Sequence, residues 1–209
     1  MSQLAGPQVS DHLASNSQLC SIVAVAVVFY RAPSPLQIGH VLDISWEDVR
    51  RNLLSMPELF GSFDLPEDYY SEVHICHRVR NLLSQPDSLV NLPKWHAFVA
   101  RWCLRSNANY DARDIFYAND FWAHHLCRSR PSQDLWDALR RSPVPCRLNS
   151  HAMLPSVIEW LETVDVDDCR ELISIYRNCY RQRLAALAAG QSVNLVGFTS
   201  VSIGLSNLL

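Results

Sequence analysis

Lysine is all but missing. Of the 18 basic residues in this 209-residue chain only Lys94 is a lysine, and there are only six glycines. A phosphate-cradling loop of the form G-x-x-x-x-G-K-[ST] needs both residue types together, and no stretch supplies them. The chain is therefore not a self-sufficient P-loop nucleotidase. G-x-S-x-G and S-x-x-K are absent as well, which removes two common frames for a serine nucleophile. H-E-x-x-H is absent, and His124-His125 and the pair His74 and His77 are the only local histidine groupings. Adjacent histidines on a helix point about 100° apart and rarely serve one ion, so no metal site is expected. Cys127 lies beside His124 and His125, but no third group orients such a pair, and a cysteine nucleophile is not expected either. No residue is assigned a catalytic role, no cofactor is implied, and the chain is read as a non-enzyme.

The seven cysteines are scattered without a C-x-x-C pair and sit among apolar residues, the pattern of reduced thiols in a cytoplasmic protein. Long hydrophobic runs are missing too. Ile22 to Tyr30 is too short to span a bilayer, which takes about 20 residues. The first 18 residues lack the basic segment of a secretory signal and are expected to be disordered. Residues 190–209 are expected to form a flexible apolar tail, too rich in Gln, Asn, Ser and Gly for a membrane anchor. A net charge of −3 gives no global attraction to nucleic acid or to an anionic membrane.

What is present is a globular composition, 48% hydrophobic and 19% charged, patterned mainly as helix. Leu19 to Tyr30 is almost wholly apolar and reads as a buried first helix, with a central β-strand as the alternative. Ser34 and Pro35 cap and open a second helix that ends near Asp43. Ser45 caps a third, on which Trp46, Val49, Leu53 and Leu54 share a face. Phe60 to Leu65 and Val73 to Cys76 alternate apolar and polar residues across a Pro66-Glu67-Asp68 break, which predicts a small β-hairpin, and a helix follows from His77. Residues 19–84 therefore read as a winged helix-turn-helix. After a boundary at residues 84–93, an α-helical domain over 93–189 is expected, with helices at Lys94–Arg105, Ala112–Arg128, Gln133–Arg141, Met153–Val164 and Asp167–Ala189. On the last of these an apolar stripe runs from Leu172 to Leu187.

A winged helix raises DNA binding. The helix from Ser45 would present Arg50, Arg51 and Asn52 to base edges or phosphates. Glu47 and Asp48 on the same helix, and Asp64, Glu67, Asp68 and Glu72 in the hairpin, oppose it.

Ser34-Pro35-Leu36-Gln37-Ile38-Gly39-His40-Val41-Leu42, then Leu65-Pro66-Glu67-Asp68, then His77-Arg78-Val79-Arg80-Asn81-Leu82-Leu83 resemble successive signatures that follow the nucleotide-binding module in fungal NACHT-type signalling ATPases. Trp122-Ala123-His124-His125-Leu126 is similar to the W-x-x-H-L of their next helices, and Ile158-Glu159-Trp160-Leu161-Glu162 to their F-x-x-W-L-E. The similar stretches run from residue 22 to residue 162, about two-thirds of the chain, with Asn81 where the family carries an aspartate. The resemblance implies a non-catalytic regulatory or interaction module, the arm of such an ATPase without the ATPase itself, as a fragment or a degenerate stand-alone member. It implies a protein partner, and it makes His77 the match for a histidine that approaches bound nucleotide in the family. A DNA-binding regulator is the rival reading.

Overall fold

A computed structural model of the protein describes residues 6–59, 68–85, 88–105, 111–142, 153–163 and 169–189. Among these there are ten α-helices, one 3-10 turn and no strand. The mainly helical fold expected from the sequence is what is found.

The first helix, α1 (Gly6–Ser15), falls where disorder was expected. Val9 and Leu13 stand one turn apart on one face, and both are buried, so the segment has an apolar side to dock on α2 (Ser17–Val28). In α2, Asn16 accepts a hydrogen bond from the Leu19 N–H at 3.0 Å, and every residue from Ile22 to Val28 is buried. Its valines favour strands in isolation, but neighbours on all sides and a capped start override that preference.

In α3 (Pro35–Leu42) the Ser34 hydroxyl accepts from the Gln37 N–H while the Gln37 side chain accepts from the Ser34 N–H, a reciprocal capping box. Asp43 ends the helix in the left-handed region at φ 58°. A Cβ on Gly39 would lie 2.6 Å from the Ile44 carbonyl oxygen, so the turn into α4 (Trp46–Leu54) closes only over glycine. Val49 and Leu53 of α4 are buried; Leu54, expected on the same face, is exposed. Helices α2, α3 and α4 pack together as a three-helix unit.

A 3-10 turn (Pro57–Leu59) follows. The first arm of the expected hairpin, residues 60–65, lies outside the described residues. The second, Val73–Cys76, buries Val73 and Ile75 and exposes His74, as the alternation requires, but it forms no ladder. Its N–H groups go singly to distant carbonyls, Val73 to Pro33 at 2.8 Å and Cys76 to Leu59 at 2.9 Å. The β-hairpin of a winged helix is thus not seen among the described residues.

Helix α5 (His77–Leu83) leads to α6 (Leu92–Leu104) and α7 (Ala112–Arg128), which pair along their length. Val99, Ala100 and Cys103 of α6 and Ala118, Trp122 and Leu126 of α7 are buried. Helices α8 (Gln133–Arg141), α9 (Leu154–Glu162) and α10 (Cys169–Ala188) complete the chain. On α10 the expected stripe is buried only at its start: Leu172 and Tyr176 are covered, whereas Leu184 and Leu187 are 48% and 58% exposed. Residues 190–209, the expected tail, lie outside the described residues.

The two halves share one apolar cluster, because α2 packs on α6 as well as on α3 and α4. At this junction Phe29 stacks on Tyr117, ring centroids 4.3 Å apart, and meets Trp102 at 6.2 Å.

Candidate functional site

Where α2 ends, its chain turns outward over α7. Phe29 stays buried and Tyr30 emerges 60% exposed, stacked on Phe121 at 4.8 Å. The segment after residue 67 comes alongside: Asp68 folds it into a tight turn by accepting the Tyr70 and Ser71 N–H groups, both at 2.7 Å. Those bonds hold the Asp68 carboxyl below its ordinary value, with the Tyr70 N–H as the largest cause. Between these elements and α7 opens a groove of about 530 Å³ lined by Arg31, Glu72, Arg113, Phe116, Asp120 and Phe121. Arg113 lies over the Tyr70 ring at 4.4 Å and Arg31 over Phe121 at 5.3 Å. Phe116, on the exposed side of α7, is 66% accessible. Aromatic rings and arginines are enriched at protein interfaces, and here they stand beside the carboxylates of Glu72 and Asp120.

Behind the groove runs a buried relay. The Tyr30 N–H donates to the Tyr117 hydroxyl at 2.9 Å; that hydroxyl is 2.8 Å from His125 Nε2, and His125 Nδ1 is 3.0 Å from His96 Nδ1. A backbone N–H can only donate, so the Tyr117 oxygen accepts there, and the hydroxyl still has both its proton and a second lone pair to offer His125 Nε2. Between His125 Nδ1 and His96 Nδ1 one ring donates and the other accepts, a direction set together with that of the Tyr117 bond. Burial raises the Tyr117 hydroxyl well above its ordinary value, so it remains protonated. Burial, then His96, His124 and Arg128, push His125 far below its ordinary value, so the ring is neutral. Both ring nitrogens of His125 are taken by Tyr117 and His96, and the arrangement orders side chains rather than presenting a base to a substrate.

His40 on α3 reaches Asp114 on α7, Nδ1 to Oδ2, at 2.5 Å. Asp114 is held in the first turn, where its N–H donates to the capping Asp111 carboxylate at 2.8 Å. Its side chain is wholly buried, and burial raises its carboxyl against the opposing pull of His40.

The residues singled out from sequence are dispersed. His77 is exposed at the start of α5, bonded to the Asn81 side chain at 3.2 Å. Arg51 is exposed and pairs with Asp48 at 2.6 Å. Arg50 is half-buried. The Asn52 amide donates to Gln18 at 3.1 Å and to the Asp48 carbonyl at 2.9 Å while accepting from Asn16, so it ties α4 to α2. His124 and His125 diverge as adjacent helical residues must, one to the surface beside Arg128 and one into the relay. No group of three metal-ligating residues is found among the described residues. Burial lifts the Cys127 thiol to about 11, the opposite of an activated nucleophile. The relay and the His40–Asp114 pair escaped the sequence reading because their members lie 8, 29 and 74 residues apart.

Among the described residues no helix is long and apolar enough to cross a membrane. Comparison of the chain with models of known families, with curated proteins and with solved structures found no match.

Proposed function

We propose that the protein is a non-catalytic regulatory or interaction module that engages a protein partner through the Arg31–Phe116–Arg113 groove. The observation that carries this reading is the groove itself, in which exposed aromatic rings and arginines sit on a backbone locked by the relay. Such preorganised aromatic and arginine side chains bind with little loss of conformational freedom. Its relation to the post-NACHT arm of a fungal signalling ATPase is part of the same proposal, supported by the sequence resemblance over residues 22–162 and by the three-helix unit of α2, α3 and α4. So is a winged helix with residues 60–76 as its wing, supported by the alternating burial of Val73, His74 and Ile75. A cytoplasmic setting belongs with it, supported by the free thiols of Cys20, Cys76 and Cys127. DNA binding through Arg50, Arg51 and Asn52 finds less support, because the Asn52 amide is engaged with α2 and Arg51 is paired with Asp48.

The test is affinity selection from the source proteome with the intact chain, run in parallel with the Phe116→Ala variant. A polypeptide retained by the wild type and lost by the variant is expected. Equal retention by both, or retention of nucleic acid alone, contradicts the proposal.

A further inference from the structure

The relay ends in a second, smaller cavity beside Tyr30, whose ring stacks on Phe121 and meets His124 edge-on. About 280 Å³ in volume, it is lined by Arg80 and Ser84 of α5, His96 of α6, and His124 and Arg128 of α7, beside the end of α2. Among the described residues no carboxylate lines it.

Donor accounting fixes what the wall offers. Arg128 donates from Nη1 to His124 Nδ1 at 2.9 Å, so Nδ1 is the acceptor and the neutral His124 ring carries its proton on Nε2. His96 Nδ1 is taken by His125 Nδ1 at 3.0 Å, so the nitrogen of His96 left outside the relay is Nε2. Arg80 covers the Val27 carbonyl at the end of α2, Nη1 to oxygen 2.8 Å, and keeps further N–H groups to offer. Ser84 gives its proton to the Arg80 carbonyl at 2.8 Å. The polar side chains lining the cavity thus include two guanidinium groups and two imidazoles, His124 with Nε2–H as donor, and no carboxylate among the described residues lines it to balance them.

We infer that this cavity binds a phosphate-class oxyanion between Arg80 and Arg128, with the Nε2–H of His124 as a directional donor and the His96 ring beside it. Charge-assisted bonds from guanidinium to phosphate oxygens are strong and shape-selective. The histidines make the site proton-linked. Burial first, with Arg128 adding to it and His124 acting on His96, holds both rings down to about 4 in the protein alone. An anion between them replaces repulsion from Arg128 with attraction, so binding draws protons onto the two rings. The other groups facing them are Arg80 on α5, the Tyr30 side chain beyond α2, and neutral His125 behind. This site is separate from the groove and stands or falls independently of it.

The experiment is calorimetric titration of the full chain with inorganic phosphate at pH 7.5 and fixed ionic strength, repeated with methyl phosphate and sulfate. Saturable phosphate binding is expected, weakened about tenfold or more in Arg128→Gln, whose side chain lies at the surface. A tighter methyl phosphate assigns the site to phosphate esters and a tighter inorganic phosphate to the free ion; either outcome supports it. Sulfate keeps its charge between pH 5.5 and 7.5 and is expected to bind more tightly at pH 5.5. Nitrogen-15 spectra of the histidines give a readout independent of the variants: phosphate is expected to shift Nε2 of His96 and His124. Responses equal to those of chloride at the same ionic strength overturn the inference, and so does undiminished binding by Arg128→Gln.

Discussion

His40 on α3 and Asp114 on α7 lie 74 residues apart in sequence and are joined by a 2.5 Å hydrogen bond, with the Asp114 carboxyl fully buried. The other carboxyl oxygen, Oδ1, is buried without a hydrogen-bond partner among the described residues, so His40 is what makes the burial tolerable. His40→Ala is expected to destabilise the chain by about 1–3 kcal/mol, and His40→Gln, which keeps a donor, by less. Urea unfolding followed by far-UV dichroism measures both. Equal stability of His40→Ala and wild type would show that the pair carries no weight.

Trp160 is nearly buried on α9, and its indole N–H donates to the Ser129 carbonyl at 3.0 Å, fastening α9 to the end of α7. Trp160→Ala is expected to cost about 3–5 kcal/mol. Because α2 packs on α6, unfolding is expected to be a single transition by tryptophan fluorescence and by dichroism alike. Two transitions, with only the second moved by Trp160→Ala, would mean that the halves unfold separately.

Acid is expected to weaken the fold. The His96 and His124 rings titrate at about 4 in the folded chain against an ordinary 6.5, so between these values the unfolded chain binds more protons. Stability from these groups is complete above pH 6.5 and declines as pH falls toward 4. Depressed His125 adds to the decline, while Asp114, raised by burial, pulls the opposite way at the acid end. The urea midpoint is expected to fall from pH 7.5 to pH 5, and less so in His124→Gln. A midpoint that rises on acidification contradicts these assignments.

Thiol chemistry is expected to be slow. Cys103 and Cys169 are buried, and the Cys127 thiol is lifted to about 11 by burial, with Glu159 adding to it and Arg128 opposing. Under native conditions at pH 7.5 these three are expected to resist iodoacetamide and to label only in urea, as read by mass spectrometry. Rapid native labelling of Cys127 would mean that an activating contact has been missed.

Helix boundaries were legible because their signals are local: Ser34 and Ser45 cap the helices that follow them, and α7 and α8 run over the residues expected. Val73–Cys76 shows the limit. Alternation reports which side chains are covered, and it cannot report whether a neighbouring strand is there to complete a ladder. The N-terminal helix was missed because its apolar face is only Val9 and Leu13 in a polar segment, and its stability comes from α2. The relay and the anion cavity depend on helices α2, α5, α6 and α7 converging, which no spacing within one helix announces.

In the proposed function the groove is the working surface. The most direct measurement is the affinity of the selected partner for Phe116→Ala and Arg113→Ala, with Glu58→Ala, exposed on the 3-10 turn, as the control. Each groove variant is expected to weaken binding about tenfold or more while melting with the wild type, and the control is expected to bind normally. Unchanged affinity in both groove variants would contradict the claim.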